Sequence, residues 1–224
     1  MEKMLSGLGG CVLFQHLTED EMMELLSAVE YRVRIYEKNE VIFSPHQRAD
    51  TLGILLEGAV DVQKIFSCGK TVTVNRRFAP DLIADASIFA DIQRYPSNII
   101  ASEKSRLLLI NRQNLLALFT RNEPIMASFL QSVSNRVLML NKSIDILSIN
   151  SVSSKIAWYL IDQYNEQHRS CIQMIFSKKT LAEHLNVSRT TLSRELKNME
   201  KEGIISFNRK CIQILDIEKL ENFC

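Results

Sequence analysis

"SKKTLAEHLNVSRTTLSRELKNMEKEGII", residues 177–205, contains two short helical patterns with a break between them. Ser177 stands where a helix needs a side-chain oxygen to accept a first-turn N–H, and Leu181, Ala182 and Leu185 follow on one face. Asn186 falls at the break, where the backbone must turn left-handed and asparagine tolerates that better than most residues. Ser188 caps a second helix whose Leu192, Leu196 and Met199 share one side, and Gly203 ends it. Two helices joined by so short a turn, with small Ala182 at their crossing, predict a helix-turn-helix.

The other side of the second helix carries Arg189, Thr190, Ser193, Arg194 and Lys197. Arginine presents two parallel donors to guanine O6 and N7, hydroxyls reach phosphates or base edges, and lysine neutralises phosphate. Ser177, Lys178, Lys179, Ser188 and Thr191 complete the candidate DNA-binding set around the two helix starts. Segment 177–210 holds eight Lys or Arg against four Glu, a net of +4, on a chain whose total is only +1. The charge is therefore concentrated where several phosphates would be met. A solvated helix face is the plain alternative, and the caps, turn, small residue and charge together argue against it.

Upstream, residues 123–148 repeat Leu130, Val133, Val137, Leu140, Ile144 and Leu147 at three- and four-residue steps. Such a seam suits a dimerisation coiled coil. It also suits a long helix lying on its own domain, but the narrowness of the stripe over its length favours the dimer. The polar run "SINSVSS" reads as the hinge into the last region.

From about Val33 to Ile110 the pattern changes to short strands separated by turns. Val60 and Val62 alternate with polar residues, as do Val72 and Val74, with "SCGK" between as a hairpin turn, and "RLLLIN" reads as a further strand. An antiparallel barrel or roll is predicted. Before it, Thr18 and Glu21 form a capping box opening an amphipathic helix. After the hinge, Ile156, Leu160 and Tyr164 mark the inner face of another helix, "CIQMIF" reads as a strand, and the chain closes on a hairpin turning at Asn208-Arg209-Lys210.

Composition excludes several classes. No run approaches eighteen apolar residues, so no membrane span is predicted, and the first residues lack a signal-peptide core. The five cysteines (Cys11, Cys68, Cys171, Cys211, Cys224) are scattered, with no C-x-x-C pair, which predicts no disulfide framework and no metal site. A reduced, cytoplasmic protein is the expectation. Nucleophile elbow, P-loop, H-E-x-x-H and diagnostic carboxylate pairs are all missing, so no enzymatic activity is expected.

Nearly the whole chain resembles the Crp/Fnr family of bacterial transcription regulators. "LFQHLTEDEMMELL", "LEGAVDVQK" and, most specifically, "NVSRTTLSRELKNMEKEGII" carry the resemblance. It implies an α+β architecture: an N-terminal antiparallel β-roll (a cupin-like jelly roll) of the cyclic-nucleotide-binding type over 1–122, a dimerisation helix and hinge over 123–150, and a winged helix-turn-helix over 151–224. It further implies a homodimer on double-stranded DNA with an inverted-repeat operator, RNA polymerase as a partner, and base reading by Arg189, Thr190, Ser193 and Arg194. Many relatives place glutamate where this chain has Thr190, so the bases read there do not carry over.

The sensor half departs from the family's phosphate cassette in "APDLIADASIFADIQRYPSNII". Asp81 and Ala84 stand where glycines are expected, Asp85 replaces a glutamate, Pro96 or Ser97 occupies the arginine region, and Arg94 is displaced. An acid beside a phosphate is repulsive, which counts against cyclic AMP or GMP. An iron–sulfur centre would find only Cys11 in the N-terminal region, and haem only His16 and His46. The cofactor is therefore unknown, and a small effector of unread identity, bound between roll and dimer helix, is expected. The alternatives are a small-molecule-binding module and a constitutive DNA-binding dimer with a vestigial sensor.

Overall fold

The computed structural model describes residues 2–66, 68–174, 177–208 and 211–223. It divides into two compact units, Met1–Asn135 and Arg136–Cys224. The first contains α1 (Glu2–Gly9), α2 (Glu19–Ser27), β1 (Tyr31–Tyr36), β2 (Val41–Phe43), β3 (Thr51–Glu57), β4 (Ala59–Ile65), β5 (Thr71–Phe78), β6 (Asp81–Ile83), α3 (Asp85–Ile88), β7 (Asn98–Ala101), β8 (Ser105–Asn111), α4 (Arg112–Arg121) and the start of α5 (Glu123–Ser148).

Its strands form two four-stranded antiparallel sheets, ordered β1-β8-β3-β6 and β2-β7-β4-β5. β3 is central and buried on both faces, which is why "TLGILLE" reads as a nearly continuous apolar run. Its Leu52, Ile54 and Leu56 join a core with Leu8, Phe14, Leu108, Ile110 and Leu115, the helix side of the sheet. Leu55, on the other face, meets Phe43, Val60, Ile83, Ile99 and Leu107 inside the roll. The predicted capping box is present: Thr18 N–H donates to Glu21 Oε2 at 2.8 Å, and Glu21 N–H donates to Thr18 Oγ1 at 3.4 Å. The strand read at "RLLLIN" is β8, and the chain turns to helix straight after it under Asn111, whose side chain accepts from the Asn114 N–H at 2.8 Å.

The second unit contains the rest of α5, then α6 (Val152–Gln167), β9 (Cys171–Gln173), α7 (Lys178–His184), α8 (Arg189–Lys201), β10 (Ile205–Phe207), β11 (Cys211–Ile214) and α9 (Ile217–Glu221). Its sheet is antiparallel, ordered β10-β11-β9. β10 and β11 flank the position predicted for the hairpin turn, and the Asn208 N–H donates to the Cys211 carbonyl at 2.9 Å. Arg209 and Lys210 of that turn lie outside the described residues. α6 starts at the hinge under a Ser151 cap. Its inner face differs from the expectation at one position. Ile156 and Leu160 are buried, but Tyr164 is exposed, and Tyr159 and Gln163 point inward instead.

The cysteines differ as well. Cys171 and Cys211 are joined by a disulfide between β9 and β11, their Cα atoms 6.0 Å apart. A separation of 40 residues hid a neighbour relation that only the pairing of these strands creates. Cys11 is buried and Cys68 exposed. Among the described residues, no helix is long and apolar enough to cross a membrane.

Candidate nucleic-acid interface

α7 and α8 are built by local chemistry. Ser177 Oγ accepts from the Thr180 N–H at 3.2 Å and opens α7, and Ser188 Oγ accepts from the Thr191 N–H at 3.0 Å and opens α8. Between them Asn186 takes the left-handed conformation, with φ of 51°. α8 ends with Gly203 at φ of 70°, where the Ile204 N–H reaches the Met199 carbonyl (3.0 Å) and the Gly203 N–H reaches that of Glu200 (3.1 Å). Those two bonds fill carbonyls that the helix end leaves open. Leu181, Ala182, Leu185, Leu192, Leu196 and Met199 are all buried in one core with Ile156, Leu160 and Ile212.

With that face buried, Arg189, Thr190, Arg194 and Lys197 are turned outward and exposed, while Thr191 and Ser193 are half-buried beside them. The hydroxyls of Ser188, Thr190 and Thr191 cluster at the start of α8, with Ser188 Oγ 2.8 Å from Thr190 Oγ1 and 2.7 Å from Thr191 Oγ1. A helix N-terminus supplies partial positive charge and free N–H groups there, so the cluster favours a phosphate oxygen. Arg194 lies 3.5 Å from Glu195 Oε1, and Glu195 Oε2 accepts from Ser153 Oγ at 3.1 Å, so α6 helps to hold the base of this arginine.

The two lysines at the start of α7 separate in character. Lys179 is exposed, with a loose pair to Glu183 at 4.0 Å. Lys178 is half-buried, its ammonium 4.2 Å from the centre of the Phe207 ring in β10, and this cation–π contact commits it to the fold. Sequence reasoning missed Phe207 as its partner. It also missed Lys155 of α6, a buried ammonium that donates to the Leu185 carbonyl at 3.2 Å. The only signal for either was a long cationic side chain at a helical position.

Along α5, Leu130, Val137, Leu140, Ile144 and Leu147 are each 50–64% exposed. Val133 departs from the seam, packing against the first unit's core. Near the other end Lys142 binds Asp162 (3.0 Å) and Glu166 (2.9 Å) of α6. Those hydrogen bonds, Glu166's first, push the Lys142 ammonium above its usual range.

At the cassette, Ala84 adopts φ of 65° ahead of α3, and Asp85 is buried. Asp81 is paired with Arg77 at 3.1 Å. Arg94 and Pro96 are exposed and Ser97 is half-buried.

Comparisons with known proteins agree with this division of labour. Residues 33–122 match the cyclic nucleotide-binding domain, and residues 154–223 match the Crp-like helix-turn-helix domain. The anaerobic regulatory protein of Bacillus subtilis is 23% identical over 197 residues, 86% of this chain and 82% of that one. The cyclic AMP receptor protein of Thermus thermophilus is 23% identical over 212 residues, 95% of this chain and 96% of that one. The crystal structure of the Thermus thermophilus catabolite activator protein superposes with a TM-score of 0.54 at 22% identity, covering 95% and 97% of the two chains. These relatives and domains are those of transcription regulators rather than enzymes.

Proposed function

The chain belongs to the Crp/Fnr family of transcription regulators, and from that premise we propose that it works as a cytoplasmic homodimer on an inverted-repeat operator. In this reading residues 1–122 sense, 123–150 dimerise through Leu130, Val137, Leu140, Ile144 and Leu147, and 151–224 read DNA. α8 enters the major groove with Arg189, Thr190, Ser193 and Arg194 toward base edges, and Ser177, Lys179, Ser188, Thr191 and Lys197 toward phosphates. The two copies of α8 then meet successive grooves about 34 Å apart. An effector acts by favouring one arrangement of the paired long helices, and RNA polymerase is the partner recruited or blocked.

One observation carries the reading: α8 buries its leucines and methionine completely while Arg189, Thr190, Arg194 and Lys197 stay exposed. The test is fluorescence anisotropy of the purified protein with its own upstream DNA and with random duplex, across a range of salt. A preference for the upstream DNA of tenfold or more is expected, about 1.4 kcal/mol. Equal affinity for both at every salt would sink it.

A second reading, a constitutive DNA-binding dimer with a vestigial sensor, draws on a different observation. Between the two sheets, Leu55, Val60, Ile83, Ile99 and Leu107 pack into one buried apolar cluster. A cyclic nucleotide's phosphate at α3 would also meet the carboxylates of Asp81 and Asp85, and the nearby guanidinium of Arg77 is engaged by Asp81. The residues at that corner do not suit the ligand. Following operator affinity while titrating cyclic AMP and cyclic GMP separates the readings: a change in affinity removes the vestigial one.

A further inference from the structure

The first strand of the roll breaks the pattern that its neighbours obey. In "YRVRIY" (31–36), Arg32 stands opposite Leu109, Arg34 opposite Leu107 and Tyr36 opposite Ser105 of β8. Directly opposed residues share a face of the sheet. Leu107 lies in the cluster inside the roll and Leu109 packs against it, so the two arginines stand on that same face of the sheet, where Tyr36 is buried but both arginines remain exposed at its open end. Val33 and Ile35 take the other side and are 42% and 53% exposed. Arginines on the face that elsewhere lines the roll, with exposed aliphatics on the other, break the usual half-buried alternation, and such a local violation needs a compensating role.

Beside the arginines a cavity of about 880 Å³ opens, lined from β1 by Arg32 and Arg34 and from the segment before β3 by Arg48. Its wall is aromatic: Tyr36 and Tyr95 are buried, and the Tyr95 ring stacks on Phe43 with centroids 4.6 Å apart. Tyr95 is fixed in place, donating its hydroxyl proton to the Thr51 carbonyl (2.7 Å) and accepting from the Thr51 N–H (3.2 Å). Two acids, Glu30 and Asp50, also line the space, against three guanidiniums. Among the described residues, none of the three guanidiniums forms an ion pair with a carboxylate.

We propose that this cavity is a binding site for a small multivalent anion, with carboxylate or phosphate groups held by Arg32, Arg34 and Arg48 and any carbon skeleton against Tyr36 and Tyr95. Guanidinium forks match both anion types with two parallel hydrogen bonds, so their shared chemistry is what the site selects. Three like charges around one cavity repel until an anion enters, and the volume falls in the range of small-molecule sites, about 300–1,000 Å³. The site lies away from Asp81, Ala84 and Asp85 of the cassette, although Tyr95 belongs to the same stretch, and its occupancy is measured without DNA. It therefore stands or falls independently of the reading of α8.

The experiment is isothermal titration calorimetry of the full chain with citrate and with inorganic pyrophosphate at low salt. Saturable binding of at least one probe is expected, weakened about tenfold or more by Arg34→Gln and by Arg48→Gln. Lys70→Gln, an exposed position away from the cavity, leaves the affinity unchanged. Arg34→Lys keeps the charge but not the fork, so it folds like the parent and binds severalfold more weakly. Citrate binding alone assigns carboxylates, and pyrophosphate binding alone assigns phosphates. Absence of saturable heat with both probes, or equal affinity in parent and arginine variants, overturns the site.

Discussion

The ammonium of Lys155 donates to the carbonyl of Leu185 across 3.2 Å, with both residues buried in the second unit. Leu185 closes α7 just before the turn, so a side chain from α6 supports the corner between the two helices of the reader. Lys155→Ala strands that carbonyl and empties the space of the lysine stem. A loss of about 1–3 kcal/mol is expected in the second unit. Trp158, the chain's only tryptophan, packs against the same core, so its fluorescence during urea unfolding measures the change directly.

Arg194→Ala should cost about 1–3 kcal/mol in binding and relax the preference at one operator position. Lys179→Ala should weaken every duplex alike and reduce the slope of log affinity against log salt by about 0.9. Lys178→Ala should act mainly on stability, because its ammonium lies on the Phe207 ring. Competition binding against a panel of single-base operator variants, repeated at several salt concentrations, distinguishes the three.

Leu140→Glu combined with Ile144→Glu places two carboxylates on the exposed seam of α5. Under the dimer proposed above, sedimentation equilibrium should show the parent as dimer and this variant as monomer. Operator affinity should fall by about a hundredfold or more, because two linked readers gain that much over one.

Asp61 faces Arg76 across β4 and β5 in a two-pronged bond, 2.6 Å from Nε to Oδ1 and 2.9 Å from Nη2 to Oδ2. Hydrogen bonding from Arg76 holds the Asp61 carboxyl below its usual range despite burial. A group depressed in the folded state contributes stability above its unfolded pKa, near 3.9, and loses that contribution as pH falls through the folded value. Calorimetric melting from pH 6 downward should therefore show Asp61→Asn less stable than the parent. The gap should close below about pH 4.

Gly58 and Gly203 both have positive φ, at 88° and 70°, but differ in surroundings. A Cβ on Gly203 meets nothing within 4 Å, so Gly203→Ala carries only backbone strain, about 1–2 kcal/mol. On Gly58 the same atom would lie 2.5 Å from the Lys104 carbonyl oxygen and 2.5 Å from Ser105 Oγ. Gly58→Ala should lower the melting temperature clearly further than Gly203→Ala.

What could be read from the chain was local. Ser177, Asn186, Ser188 and Gly203 act on their own neighbourhoods, and each has the role its residue type predicts. So do Thr18 and Glu21. What could not be read depended on which face or strand a residue meets. Alternation in "YRVRIY" says nothing of which face meets β8's Leu107 and Leu109, so nothing in it signals Arg32 and Arg34 beside a cavity. Periodicity placed Tyr164 on the inner face of α6, but at that end of the helix Gln163 packs inward instead. Val133 fits the seam by spacing and the first unit's core by contact, and the contact prevails.

Cys171 and Cys211 bracket α7 and α8, so their bond encloses the whole helix-turn-helix in a covalent ring. A ring of that length removes conformations mainly from the unfolded chain, worth about 4 kcal/mol in a chain-entropy account. Reducing the Cys171–Cys211 bond should therefore lower the stability of the reading head by about that amount, which urea unfolding with and without reductant measures. Reductant would loosen both helices together without altering Arg189, Thr190, Arg194 or Lys197.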